Sequence, residues 1–134
     1  MIHVLRAHDV APAILREERA FEVGGVMHSY SGSAELVKIY GGLGLRCSFT
    51  GAVTWPGARK PVRAAQAVPL DQLLVESDGP DQAPASRRGQ RNEPAAVVEV
   101  IAGLAAAHGV DAATMAATTA ANARALFPRA AAWW

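Results

Sequence analysis

Four short apolar runs, each followed within a few residues by a segment whose apolar side chains recur at helical spacing, narrow the folds open to this 134-residue chain. Ile2 to Leu5 is the first run, with Ile2 and Val4 on one face and His3 and Leu5 on the other. The pattern then predicts a helix from His8 to Glu18, where Val10, Ala13, Ile14 and the stem of Glu17 share a side, and Gly24-Gly25 stops it. Val26-Met27-His28 reads as the second strand. Ser33 is a suitable N-cap for a helix carrying Leu36, Val37, Ile39, Tyr40 and Leu43, which Gly41, Gly42 and Gly44 end. Leu45 to Val53 is the third strand, Gly57 to Ala67 the third helix, and Leu73 to Glu76 the fourth strand. Pro94 suits the first turn of a helix running to His108. Asp111 caps a further helix, broken or bent near Thr118-Thr119, that ends at Phe127-Pro128.

Strand and helix in alternation pack as a parallel sheet with right-handed crossovers. The chain therefore reads as α/β, a (βα)4 unit of parallel strands with C-terminal helices. Residues 78–93 interrupt the rhythm with Gly79, Pro80, Pro84, Gly89 and the charged group Arg87, Arg88, Arg91, a loop long enough to suggest function. The Ala-rich tail, 128–134, has no usable periodicity and is expected to be poorly ordered.

Composition removes several classes of protein. With 51% hydrophobic and 19% charged residues the chain can bury a core, so wholesale disorder is excluded. A formal charge of +1 gives no chain-wide basic field, so any phosphate recognition must be local. The single cysteine, Cys47, can form neither an internal disulfide nor a cysteine-based zinc site. The N-terminal apolar stretch is too short for a signal-peptide core, and no long uninterrupted apolar run occurs; a cytoplasmic location with no membrane partner is the expectation.

In parallel α/β folds ligands gather at the carboxyl ends of the strands. His3 lies in the first strand, His28 ends the second, and Glu76-Ser77-Asp78 end the fourth. Two imidazoles and the Asp78 carboxylate converging there could hold a divalent cation, which would acidify a water and polarise a phosphoryl or carbonyl oxygen. Their spacing is not diagnostic. His3 and His28 read equally as satisfied histidines in a sheet, and Asp78-Gly79-Pro80 as a turn. His8 reads as a structural partner, and His108, before Gly109, as a partner of the helix dipole.

Longer strings carry more. His3-x-x-Arg6-Ala7-His8, Gly25-Val26-Met27-His28-Ser29-Tyr30-Ser31-Gly32-Ser33, Pro69 through Pro80, Arg88-Gly89-Gln90-Arg91-Asn92-Glu93-Pro94 and the closing segment from Ala117 to Phe127 together resemble the TatD family of metal-dependent hydrolases, in unbroken order over residues 1–127. The resemblance implies half of a TIM-type (β/α)8 barrel, a divalent metal (Mg, Mn, Zn or Ni), and hydrolysis of DNA or another phosphodiester, of the deoxyribonuclease type. By position it implies that His3 and His28 ligate metal and that Asp78 both binds metal and activates the attacking water. It makes Arg6, Arg88 and Arg91 phosphate contacts, for which the planar guanidinium fork is suited. Gly79, Ser77 and Tyr30 stand where the family usually has alanine, threonine and phenylalanine, and one extra residue separates Arg6 from His3.

A complete barrel of this kind needs about 250 residues. The resemblance accordingly implies a truncated protein, the C-terminal half, without the His-x-His pair and bridging glutamate of the first half. A half-barrel is expected to leave strand edges open and concave-face Ile, Leu and Val side chains exposed, and so to pair with another copy or a complementary half-barrel. Two alternatives use the same residues: a catalytically inactive half-barrel serving as an interaction module, and a related metal-dependent amidohydrolase. Arg88 and Arg91 favour phosphate over the latter.

Overall fold

The computed structural model describes residues 1–133 and contains one sheet, in which β1 (Ile2–His3), β2 (Gly25–His28), β3 (Leu45–Phe49) and β4 (Leu73–Val75) lie in the order β1-β2-β3-β4, all parallel. Between them run α1 (Ala11–Glu17), α2 (Ala34–Gly42) and α3 (Arg59–Ala67), and α4 (Val97–His108) and α5 (Ala112–Leu126) follow β4. Sequential order and uniform direction are what the strand-helix alternation dictates, because each crossover returns the chain to the same edge of the growing sheet.

Register decides which side chains meet. Ile2 stands beside Met27, Met27 beside Cys47, and Cys47 beside Leu73, forming one row across the sheet. Met27, Cys47 and Leu73 of this row join Leu45 and Phe49 in the core, packed against Val37 and Tyr40 of α2, Ala64 and Ala65 of α3, Val100 and Leu104 of α4, and Met115 of α5. Each large apolar side chain buried there contributes about 1.5–3 kcal/mol. Ala64 and Ala65 of α3 are fully buried in this cluster.

The opposite face of the sheet corrects one expectation. Val26, Ser48 and Leu74 are buried too, although they lie outside the main cluster. Arg46, in register with Val26, donates through Nη1 to the carbonyl of Asn122 on α5. Exposed large apolar residues gather instead beside β1, at Leu5, Val10 and Ile14.

Several boundaries differ from those the sequence suggests. β3 ends at Phe49, not Val53, because Gly51–Thr54 folds into a 3-10 turn in which Thr54 Oγ1 donates to the Gly51 carbonyl at 2.7 Å. Gly51 cannot be replaced there, since a β-carbon would collide with the backbone of Gln82, Ala83 and Pro84. α1 begins at Ala11 after a turn, with Pro12 in its first turn. α3 begins at Arg59, and Pro94–Ala96 forms a separate 3-10 turn before α4. α5 runs unbroken through Thr118-Thr119, because Thr119 Oγ1 satisfies itself on the Met115 carbonyl at 2.9 Å without opening the helix. Asp111 does cap α5, accepting from Thr114 N–H at 2.8 Å.

α4 and α5 meet at a bend of 105°, and among the described residues no single helix is long and apolar enough to cross a membrane. Pro128–Trp133 winds into a 3-10 segment; Trp134, the end of the tail expected to be poorly ordered, lies outside the described residues.

Candidate functional site

The carboxyl end of the sheet brings the expected residues into one neighbourhood. His3 and His28 are register partners at the ends of β1 and β2, and their rings stand 5.6 Å apart between centroids, tilted by 46°. Glu76 extends β4, its N–H bonded to the Phe49 carbonyl at 3.0 Å. Asp78 follows in a left-handed turn (φ +55°) that closes with Asp81 N–H on the Asp78 carbonyl at 3.0 Å.

His28 sits between two carboxylates. Its Nδ1 lies 2.8 Å from Glu76 Oε2, and its Nε2 lies 3.3 Å from Asp78 Oδ1. The side chains of His28, Glu76 and Asp78 are 18%, 20% and 27% exposed, so the group is sheltered yet reachable from solvent. Glu76 Oε1 also accepts the Ser29 N–H at 2.6 Å. Both oxygens of that carboxylate are acceptors, so Nδ1 carries the proton, and in the neutral ring the Nε2 lone pair faces Asp78. The sequence places Glu76 at the end of the fourth strand and assigns it no role. Its signal was available in the period of two along an extended chain, which puts residues 76 and 78 on the same side of the strand end.

Loops hold this arrangement. Ser29 and Gln82, like Asp78, are non-glycine residues in the left-handed region, with φ of +48° and +52°. Each such residue costs about 1–2 kcal/mol, offset here by Gln82 Nε2 donating to Ser29 Oγ at 2.6 Å and Thr50 Oγ1 donating to Gln82 Oε1 at 3.0 Å. Asn92 is 3% exposed and ties the long loop to the Asp78 turn. Its Nδ2 donates to the carbonyls of Ser77 and Asp81 at 2.6 and 2.7 Å, and its N–H to the Pro80 carbonyl at 2.9 Å. Asn92 is thus the clamp that holds the Asp78 turn.

The donor geometry allows a test of metal fit. Two ligand atoms each about 2.1 Å from a tetrahedral ion lie about 3.4 Å apart, and the 3.3 Å between His28 Nε2 and Asp78 Oδ1 matches one such edge. Among the described residues no group of three or more His, Cys, Asp and Glu side chains is arranged to hold a metal ion. The residues therefore supply one edge of a coordination shell, with His3 beside it, rather than a closed site.

The arginines go separate ways. Arg6 is exposed on the bend after β1 (φ +55°). Arg87 pairs with Glu93 at 3.5 Å and reaches Glu99 at 4.0 Å, which removes it from the pool of free cations. Arg88 lies over the Trp55 ring, its Cζ 4.6 Å from the centroid. Arg91 is exposed and, among the described residues, paired with no carboxylate.

The other two histidines, both tyrosines and the cysteine make structural contacts. His8 bonds the Tyr40 hydroxyl through Nδ1 (3.2 Å) and Ser31 Oγ through Nε2 (3.1 Å), and burial, then the Lys60 charge, holds its pKa below the usual imidazole value against an opposing pull from Asp9. Burial likewise raises the Tyr30 and Tyr40 phenols, which pack edge-on with each other. It pushes the Cys47 thiol up to about 12, so Cys47 is an inert core residue and not a nucleophile. His108 Nε2 meets the Ala65 carbonyl at 3.0 Å, joining the end of α4 to α3.

A family model described as TatD related DNase matches residues 1–128. The uncharacterized metal-dependent hydrolase YcfH of Escherichia coli (strain K12) is 39% identical over 127 residues, covering 95% of this chain and 48% of that protein. The uncharacterized metal-dependent hydrolase YabD of Bacillus subtilis (strain 168) is 38% identical over 127 residues, covering 95% and 50%. The crystal structure of YJJV, a TatD homolog from Escherichia coli K12, superposes with a TM-score of 0.86 at 30% identity, over 94% of this chain and 48% of that one. The chain thus spans about half the length of the curated relatives it matches.

Proposed function

The chain belongs to the TatD family, and on that premise we propose that it serves divalent-metal-dependent hydrolysis of phosphodiesters, of the deoxyribonuclease type. The observation that carries this reading is His28, held through Nδ1 by Glu76 with Nε2 directed at Asp78 across 3.3 Å. An imidazole and a carboxylate together admit Mg2+, Mn2+, Zn2+ or Ni2+. His28 and Asp78 would hold the cation, with His3 as a further ligand; when bound, the ion supplies Lewis acidity toward a phosphoryl oxygen and lowers the pKa of water.

Asp78 then receives the proton of the attacking water on its second oxygen, Oδ2. The new bond forms between water oxygen and phosphorus, the bond to the leaving sugar oxygen breaks, and that oxygen departs as an alcohol by taking a proton from solvent water. Glu76 keeps the His28 ring in place, and Asn92 keeps the Asp78 turn in place, so neither has to be ordered during the reaction. Of the three arginines expected at phosphate, Arg6 and Arg91 are exposed and, among the described residues, paired with no carboxylate.

Digestion of single-stranded DNA in Mg2+ or Mn2+, with Asp78→Asn as the control, tests the proposal. Metal-dependent cleavage lost in the variant is expected; equal behaviour of the two proteins overturns it. A second reading, a binding module without turnover, is favoured by the lack of a third ligand arranged with His28 and Asp78 among the described residues. It predicts purified protein without stoichiometric metal. In either case we propose that the apolar strip of Leu5, Val10 and Ile14 beside the open edge of β1 is covered by a second copy or a complementary half-barrel. A well-behaved monomer in size-exclusion chromatography with light scattering excludes that pairing.

A further inference from the structure

Trp55 follows the 3-10 turn after β3, and its ring is fixed at one edge, where indole Nε1–H donates to the Ala83 carbonyl at 2.9 Å. The guanidinium carbon of Arg88 lies over that ring, 4.6 Å from its centroid. Its neighbour Arg87 is occupied by Glu93 and Glu99, but among the described residues no carboxylate pairs with Arg88. Beside the stack opens a cavity of about 320 Å3 walled by Trp55, Arg88, Asp81, Gln82 and Gln90, the size of the smaller ligand clefts of proteins, about 300–1,000 Å3.

We infer that the Trp55–Arg88 stack and this cavity form a nucleobase subsite, one layer removed from His28 and Asp78; the inference rests on the nucleic-acid reading above and names where a base flanking the reacting phosphate is held. Two planar groups, one cationic and one aromatic, present the kind of face on which bases stack irrespective of sequence. Gln90 offers an amide donor and acceptor to a base edge, the Gln82 amide being engaged by Ser29 and Thr50. Asp81 in the same wall repels a phosphate and does not repel an uncharged base, which separates this subsite from the phosphate contact expected of Arg88. Continuity with the candidate centre is direct. Asp81 closes the Asp78 turn, and Gln82, whose amide holds Ser29 next to His28, also walls the neighbouring cavity that His3 lines.

The test measures binding of a short single-stranded oligodeoxynucleotide and of an abasic strand of the same length, by fluorescence anisotropy in chelator so that no turnover occurs. Trp55→Ala is expected to weaken the base-bearing strand about 5- to 150-fold, the worth of one stacked base, and to leave the abasic strand unchanged. Trp55→Phe, which keeps a ring and guards against a folding defect, is expected to retain most of the affinity while abolishing any quenching of indole emission by the base-bearing strand. Equal losses for both strands, or no loss for either, overturn the subsite. If Trp55→Ala cleaves DNA at unchanged KM, the subsite falls and the hydrolase reading stands; if the wild type binds neither strand, the nucleic-acid reading falls and takes the subsite with it.

Discussion

Replacing Glu76 by glutamine distinguishes a histidine that is oriented from one that is merely accommodated. Glu76 offers two acceptor oxygens to two donors, Ser29 N–H at 2.6 Å and His28 Nδ1–H at 2.8 Å. Glutamine offers one acceptor and one NH2. The backbone N–H of Ser29 cannot be re-aimed, so it keeps the amide oxygen and turns the NH2 toward Nδ1. An NH2 facing Nδ1 requires a lone pair there, and the ring proton moves to Nε2, where it donates to Asp78 Oδ1 and blocks ligation. The expected loss is about 10- to 100-fold in divalent-metal affinity, or about 1.4–2.8 kcal/mol. Folding stability should change by only about 1 kcal/mol, because the number of hydrogen bonds is conserved. Glu76→Ala instead strands both donors in a group 20% exposed and should cost about 2–4 kcal/mol. Long-range proton–nitrogen NMR correlations of the His28 ring at alkaline pH read the tautomer without metal, and titration calorimetry with Zn2+ or Mn2+ reads affinity. A Glu76→Gln protein that keeps the Nδ1–H tautomer and binds metal as tightly as the wild type would refute the reasoning.

Other expectations follow from the same contacts. Asn92→Ala removes two donors to the Ser77 and Asp81 carbonyls from a residue 3% exposed, and should cost about 2–4 kcal/mol in urea unfolding; a change within experimental error means the loop is held elsewhere. The pKa of His8 is lowered in the folded protein, mainly by burial, so the unfolded chain binds more protons just below the ordinary imidazole value of about 6.5. Stability should therefore rise with pH through that window and level off above it, and His8→Gln should flatten the rise; an unchanged slope assigns it to another group. Buried Cys47, its thiol raised to about 12, should resist a thiol reagent in the folded protein and react on unfolding; fast native labelling would show that the core opens.

Much of the molecule is legible along the chain. Strands buried on both faces appear as short apolar runs, which is why Val26-Met27-His28 and Leu73 to Val75 stand out between helices that show their own period. Strand order needed nothing more, because short right-handed crossovers leave a sequential parallel sheet as the plain arrangement. His3, His28 and Asp78 were legible as neighbours for the same reason, since strand ends of such a sheet meet. Family membership was equally visible in the longer strings.

What the chain does not spell out is direction and pairing. Arg87, Arg88 and Arg91 form one basic group in the sequence, yet one is tied to carboxylates, one is stacked on an indole and one is exposed. β3 stops at Phe49 because backbone from residues 82–84 packs against Gly51, a contact made by a segment thirty residues away in round terms. Local periodicity and propensity determined the elements and their order, being properties of neighbouring residues. Only tertiary structure decided which nitrogen of His28 meets Glu76 and which faces Asp78, because a hydrogen bond depends on distance and angle to atoms that no nearby residue supplies.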